Sequence, residues 1–263
     1  AVFLDRNTVD LEGEKFFFEK AIIATGSSPI IPEDWKPCRD YLVTTDQFFE
    51  MESFPVKMAV IGLGVIGLEL GQALHRLGVD IIAIGKDSSI AGISDPQLKK
   101  YTLKSFSHEM NIDTSGVQQM YESEGKLIIK TKKTSYQVNK ALIAVGRKPN
   151  LSKMGLENIT DDFLDGGMPN FSSDTFKLKG VDHIYIAGDV NGVAPILHEA
   201  SDEGAIVGFS SSNDEKNNCF KRRVAMGVTF SSPNIAFVGK KYENLVSDGT
   251  PFEIGEASYE GQG

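Results

Sequence analysis

The clearest chemical signal in this chain is a glycine spacing, Gly62-x-Gly64-x-x-Gly67, set in the run Met58-Ala-Val-Ile-Gly-Leu-Gly-Val-Ile-Gly-Leu-Glu-Leu-Gly71. In a dinucleotide site each glycine has its own task. The first permits a tight turn, the second lets the backbone approach a pyrophosphate, and the third brings helix against strand. The free N–H groups and positive end of the following helix then face the phosphates. A second candidate is the aspartate of His183-Ile-Tyr-Ile-Ala-Gly-Asp189, delivered at the carboxyl end of an apolar strand. Ligands sit at that edge in open α/β sheets, although a capping or turn aspartate has the same local appearance.

Other chemistries find little support. His75, His108, His183 and His198 do not stand at metal-ligand spacing, and there is no H-E-x-x-H, so no metal site is expected. His198 and Glu199 are neighbours, and adjacent helical residues point in different directions. No G-x-S-x-G nucleophile motif occurs. Cys38 and Cys219 form no C-x-x-C pair. Two isolated thiols suit a reducing compartment, so a cytoplasmic location is expected.

Composition is that of a soluble globular protein, with 263 residues, 41% hydrophobic and 24% charged. A net charge of −9 argues against a nucleic-acid or anionic-membrane partner. No signal peptide, lipidation motif or transmembrane run is found, and Glu69 interrupts the longest apolar stretch. The chain starts directly in a strand at Ala1-Val-Phe-Leu4 and stops at Gly263 without a closing element, as expected of a piece of something longer.

The elements that must position these residues can be read in order. Val2–Leu4, Thr8–Leu11 and Lys15–Phe18 alternate as short antiparallel strands, and Ala21–Ser27 is a buried strand ending in a glycine turn. Thr45–Phe49 begins a short helix. Met58–Ile61, a helix over Leu68–Leu77 with Ala73, Leu74 and Leu77 inward, and Asp80–Ile84 make a βαβ unit. Ser94-Asp95-Pro96 starts a helix running towards Met110. Strands follow at 116–121, 126–130, 136–138 and 141–145, and Pro149 turns the chain. After Asp189, Ile196–Phe209 reads as a helix carrying small residues Ala200, Gly204, Ala205 and Gly208, which suit close packing against a helix or a cofactor. Asn213–Asn218 is a solvated linker, and Arg223–Phe230 and Asn234–Val238 open a further β unit.

The order Ala24-Thr-Gly26, Gly62-x-Gly-x-x-Gly67-x-Glu69, Gly146-Arg-Lys-Pro-Asn150 and Ala187-Gly-Asp189 resembles the pyridine nucleotide–disulfide oxidoreductases. Within that family, His198-Glu-Ala-Ser-Asp-Glu-Gly204 is similar to a motif of dihydrolipoamide dehydrogenase, and Val228–Gly239 to the opening of its dimerisation domain. The resemblance implies an α/β fold in which a Rossmann-like NAD(P) domain, 53–149, is inserted in a partial FAD domain, 1–52 and 150–222. The first strands of an α+β interface domain, 223–263, would follow. It further implies that Thr25, Gly26 and Ser27 lie along FAD, that Asp189 binds its ribityl chain, and that Pro195, Ile196, Leu197 and His198 offer N–H groups to the flavin. Gly62, Gly64, Val65, Ile66, Gly67, Glu69, Val117 and Gly146 would contact the nicotinamide nucleotide, with Val65 near the flavin ring.

Three departures qualify the match. Where NAD-specific relatives place an acid at the end of the second Rossmann strand, this chain has Gly85, followed by Lys86, with Asp87 able to reach back, so NAD is expected as the nucleotide, favoured only slightly over NADP. The FAD glycine motif with its redox cysteine pair is not in the chain, and neither is the family's His-Glu pair, so no catalytic residue is assigned. The expected parent is a flavoprotein moving electrons between dihydrolipoamide, a disulfide, FAD and NAD. It would be a homodimer when full length, acting on a small-molecule or lipoyl-protein substrate. An NADPH-dependent disulfide or mercuric-type reductase and a non-catalytic nucleotide-binding module are the alternatives.

Overall fold

A computed structural model of the chain describes residues 1–86, 90–212 and 222–258. Asp87, Cys219, the Asn213–Asn218 linker and the last five residues, on which expectations were placed, lie outside the described residues. In chain order come β1 (Val2–Asp5), β2 (Thr8–Leu11), β3 (Glu14–Phe17), β4 (Ala21–Ile23) and β5 (Ser27–Pro29). A 3₁₀ stretch, Glu33–Tyr41, leads to β6 (Leu42–Val43) and α1 (Thr45–Phe48). Then follow β7 (Lys57–Ile61), α2 (Val65–Arg76), β8 (Asp80–Ile84), α3 (Pro96–Ser107) and β9 (Asn111–Asp113). Next are β10 (Val117–Ser123), β11 (Lys126–Thr131), β12 (Ser135–Val138), β13 (Lys140–Ile143) and β14 (Arg147–Pro149). The chain continues with β15 (Lys177–Leu178), β16 (Val181–Ile186), α4 (Leu197–Ser212), β17 (Met226–Thr229), β18 (Ile235–Val238) and α5 (Tyr242–Ser247).

These elements form two compact units, residues 1–30 with 146–223, and residues 31–145 with 224–263. The break at Ile30/Ile31 puts the 31–52 stretch with the βαβ unit instead of with the strands before it. The reason is packing. Cys38 and Leu42 are buried among Ala59, Ile82 and Ala141, and β6 pairs with β13.

In the second unit five parallel strands run in the order β6-β13-β7-β8-β9. Alternate residues feed two cores. Met58, Val60, Ile81 and Ala83 face Leu68, Leu74 and Phe106, and Ala59, Ile61, Ile82 and Ile84 face Met120, Leu127 and Ile129 of the antiparallel β10-β11-β12 sheet. A sheet covered on both faces explains why β7, β8 and β13 read as unbroken apolar runs. Helix α2 begins at Val65, three residues before the expected start, because Gly64 is its N-cap. Its inward face is Gly67, Leu68, Gly71, Gln72 and Leu74. Ala73 is exposed, and Leu77, just beyond the last turn, is 70% exposed, correcting their expected inward position. Asp95 caps α3 as expected, accepting the Leu98 N–H at 2.7 Å.

Asp113, 1% exposed at the end of β9, ties the two sheets of this unit together. Its Oδ1 accepts the Ser115 N–H and hydroxyl at 2.8 and 2.6 Å, and its Oδ2 accepts the Thr131 and Tyr136 hydroxyls at 2.7 and 3.1 Å. Burial pushes this carboxyl up, but the hydrogen bonds from Ser115, Thr131 and Tyr136 outweigh it and hold it below the ordinary carboxylate range. A depressed folded-state pKa contributes stability that is present above the unfolded value of about 3.9 and is lost as pH falls through the folded one. Asp113→Asn is therefore expected to lower the urea midpoint at pH 7, with the gap to wild type narrowing below about pH 4. A gap that stays constant down to pH 2 would show that the charge contributes nothing.

The first unit holds the β1-β2-β3 meander, a β15-β16-β4 sheet in which β16 and β4 are parallel, and the antiparallel pair β14-β5. Its core gathers Phe3, Ile23, Leu156, Ile159, Ile184 and Ile186. Helix α4 runs three residues beyond Phe209. Along it Gly204, Ala205 and Gly208 are exposed, and a Cβ at Gly204 or Gly208 would meet nothing within 4 Å among the described residues. Among the described residues, protein packing is shown for Ala200, whose Cβ lies 3.5 Å from a Cβ built on Gly188.

Candidate functional site

The residues singled out by sequence fall into two groups, one in each unit.

In the second unit the glycine loop joins β7 to α2. Gly62 has φ +106°, a conformation side chains rarely adopt, and a Cβ there would lie 2.2 Å from the Ala144 carbonyl oxygen. A Cβ on Gly67 would lie 1.8 Å from the Gly62 carbonyl oxygen. The fold itself therefore requires both glycines. Gly64 differs, because its backbone is extended and a Cβ there meets nothing within 4 Å. Neither a clash among the described residues nor a positive φ requires a glycine at 64; the helix N-cap suits one, and so does a ligand pressed against the backbone.

Around the loop, Val65 is 41% exposed at the start of α2 and Ile66 is half-buried. Glu69 Oε1 accepts the Phe230 N–H at 2.6 Å. One turn on, Gln72 donates to the Ser232 carbonyl at 2.8 Å and accepts its N–H at 2.7 Å. These two side chains fasten the 230–232 loop to α2, a role the sequence did not suggest for Glu69. Gly85 directly follows β8 and is buried. Lys86 is exposed and its backbone bridges Ser115. Val117 opens β10 and packs against the cluster of Leu127 and Ile129.

In the first unit the parallel pair β4 and β16 releases Ala24–Ser27 and Ala187–Asp189 at neighbouring carboxyl ends. Ser27 donates its hydroxyl to Asp189 Oδ2 at 3.1 Å and receives the Arg147 Nε–H at 2.8 Å. The second carboxylate oxygen of Asp189 has no hydrogen-bond partner among the described residues. Gly146–Asn150 lies along this turn. Gly146 accepts the Ile30 N–H at 3.0 Å, and Asn150 binds the carbonyl oxygens of Thr25 and Gly26 through its amide and backbone N–H groups at 2.9 and 3.0 Å. Gly146 thus belongs to this unit and not to that of the other residues grouped with the nicotinamide nucleotide.

Glu203, 1% exposed, holds the Asp189 turn from beneath. Its Oε2 accepts the Gly188 N–H at 2.7 Å and the Asn191 amide at 2.6 Å, while Oε1 accepts Arg222 at 2.9 Å. Arg222 also reaches Glu199 at 2.7 Å. The Glu203 and Arg147 contacts escaped the sequence reading, although both residues stand inside motifs that it quoted. Pro195, Ile196 and Leu197 are exposed where α4 begins, and His198 is half-buried. The Nε2 of His198 is buried with no hydrogen-bond partner among the described residues. An orphaned imidazole nitrogen beside a helix N-terminus and a half-satisfied aspartate fit a group with polar edges, as a flavin has.

Cys38 is buried, and burial followed by the nearby Glu122 charge pushes its thiol up, so it is no reactive thiolate. Among the described residues no group of His, Cys, Asp and Glu could hold a metal ion, and no helix is long and apolar enough to cross a membrane.

A βαβ glycine loop on a parallel sheet in one unit and two parallel-strand turns around Asp189 in the other define a Rossmann-like α/β protein. The sequence profile of the pyridine nucleotide-disulphide oxidoreductases matches residues 1–204, and the chain belongs to that family, whose members use FAD and NAD(P). It is 30% identical to mercuric reductase of Staphylococcus aureus over 246 residues, covering 91% of this chain and 44% of that one. It is 29% identical to dihydrolipoyl dehydrogenase of Bacillus subtilis over 253 residues, covering 91% and 52%. The chain thus spans about half the length of these curated relatives. Its fold matches the Cu(II) complex of the HOCl-induced flavoprotein disulfide reductase RclA from Escherichia coli with a TM-score of 0.81 at 19% identity, over 94% of this chain and 57% of that one.

Proposed function

We propose that this chain is the nucleotide-binding scaffold of a flavoprotein disulfide oxidoreductase, taking NAD(P) on the Gly62–Gly67 loop and FAD along Thr25–Ser27, Asp189 and Pro195–His198. On this reading the first unit is the FAD domain, residues 31–145 are the NAD(P) domain, and the segment from 224 begins a dimerisation domain. When bound, FAD relays electrons between a nicotinamide nucleotide and a disulfide. The chain's own residues bind and orient. The α2 N-terminus would hold the pyrophosphate, with Val65, Ile66, Glu69, Gly85, Lys86 and Val117 on the nicotinamide nucleotide. Asp189 accepts a ribityl hydroxyl on its free oxygen, and the first turn of α4 favours negative charge on the flavin edge.

The full-length protein would be a cytoplasmic homodimer working on dihydrolipoamide or a lipoyl protein. A mercuric-type reductase is the second reading, supported by an identity of 30% to one such enzyme against 29% to a dihydrolipoyl dehydrogenase.

The observation that carries the nucleotide reading is the open glycine at the α2 N-cap, Gly64, which neither a clash among the described residues nor a positive φ requires. Gly64→Ala is expected to lower the melting temperature by no more than about 3 °C, the cost of changing an N-cap glycine. NADH affinity, measured by isothermal titration calorimetry, is expected to fall tenfold or more, because the new methyl group holds the pyrophosphate off the backbone. Unchanged affinity for NADH would return Gly64 to an ordinary loop residue.

A further inference from the structure

Gly85 stands at the end of β8, where a Rossmann domain that favours NAD carries an acid. There the acid hydrogen-bonds the ribose 2′-hydroxyl and repels a 2′-phosphate. No positive φ requires a glycine at this position; the requirement is one of space. A Cβ built on Gly85 would lie 2.5 Å from Leu63 Cδ1, 2.8 Å from Cγ and 3.4 Å from Cβ. Leu63 is the residue between the first two glycines of the loop, and its side chain is 3% exposed within the core.

Neither backbone is free to make room. The Leu63 carbonyl accepts the Ala91 N–H at 2.7 Å, and the neighbouring Gly62 N–H is held by Ile84 at 2.9 Å. Gly85 donates to the Asp113 carbonyl at 2.8 Å, and the next residue bridges Ser115. The conflict therefore falls on the leucine side chain, enclosed by Leu68, Ile90 and their neighbours.

Resting on the nucleotide reading of this loop, we propose that Leu63 is the specificity-determining residue of the site. It fills the space that a side chain at 85 would need, and so keeps position 85 from reading the ribose 2′-position. The site then accepts NADH and NADPH with affinities within about tenfold of each other. Selectivity for NADH can be installed at 85 only if Leu63 is shortened first.

The test uses the 263-residue chain with NADH and NADPH as calorimetric titrants. Gly85→Glu is expected to weaken both nucleotides at least tenfold and to lower the melting temperature. Leu63→Ala combined with Gly85→Glu should recover NADH binding while NADPH stays weak, moving the affinity ratio at least tenfold towards NADH. Gly85→Ala, Leu63→Ala and their double variant form a second cycle, read by melting temperature, that does not depend on the glutamate variants folding. With alanine at 63 only its Cβ remains, 3.4 Å from a Cβ at 85, a tolerable contact. The two alanine changes should then cost less together than the sum of their separate costs. Additive costs, or a Gly85→Glu chain that melts like wild type and selects NADH unaided, would overturn the inference. A wild-type chain that binds neither nucleotide would instead overturn the nucleotide reading on which it rests.

Discussion

Replacing Glu203 by alanine is expected to be the most damaging single substitution in the first unit. The carboxylate is 1% exposed and accepts from Gly188, Asn191 and Arg222. Its removal strands a backbone N–H and an amide and leaves Arg222 with Glu199 as its one carboxylate among the described residues. Breaking a buried charged pair from one side costs about 3–5 kcal/mol, because the remaining partner stays desolvated. Glu203→Gln should fall between, since an amide keeps one acceptor for Gly188 but turns a donor towards Arg222 or Asn191. Urea denaturation followed by circular dichroism gives the size of the effect. Hydrogen exchange at the Gly188 amide gives its location, with protection lost there first. A loss under about 1 kcal/mol would mean that Arg222 and Glu203 are solvated and the turn stands without them.

Gly67→Ala should have a comparable effect in the second unit, for a steric reason. The new Cβ would sit 1.8 Å from the Gly62 carbonyl oxygen, and that atom is backbone, fixed by a loop whose N–H is bound to Ile84. Helix α2 can only move away, taking Leu68 and Leu74 out of the core they fill. A loss of roughly 4 kcal/mol or more is expected, together with loss of NADH binding. Gly71→Ala is the control on the same helix face. Its Cβ would meet Val60 at 3.5 Å, an ordinary contact, so stability should change little. Trp35, packed in the second unit, reports both transitions by fluorescence. Equal midpoints for the two variants would contradict the helix–strand geometry.

How much of this was legible depends on how far apart the interacting residues are. The glycine spacing announced β7, α2 and β8 because its meaning is local: turn, approach and helix contact all fall within one short run. The apolar runs at 58–61, 80–84 and 141–143 likewise marked buried strands. Helix faces were harder. Ala73 and Leu77 looked inward because the helix was started at Leu68, and starting it at the Gly64 cap moves the buried stripe to Gly67, Leu68, Gly71 and Leu74. The two-residue strand β6 carries no pattern of its own and exists only because β13 offers it an edge. At the sites, Asp189 was visible at its strand end, but Glu203 lies on a different element and reads as one more helix carboxylate. Its single local sign was the His198–Gly204 motif in which it stands. Leu63 was hidden for the opposite reason: it occupies a variable position of the glycine motif, and only the distance to Gly85 gives it a task.

The discontinuity of the first unit also has a consequence in time. Its strand β4 ends at Ile23, and β16, its parallel neighbour, is complete only at Ile186, with all of 31–145 made in between. At translation speeds of about 5–20 residues per second, the earlier strand waits roughly ten to thirty seconds for its neighbour. The β7-α2-β8 unit needs no such delay, since its partners emerge in succession. During synthesis the 31–145 part of the second unit is therefore able to close before β4 meets β16, and β4 spends that interval as an apolar segment without its parallel neighbour. A nascent chain in that state is the species most exposed to aggregation, and the one on which a chaperone has time to act.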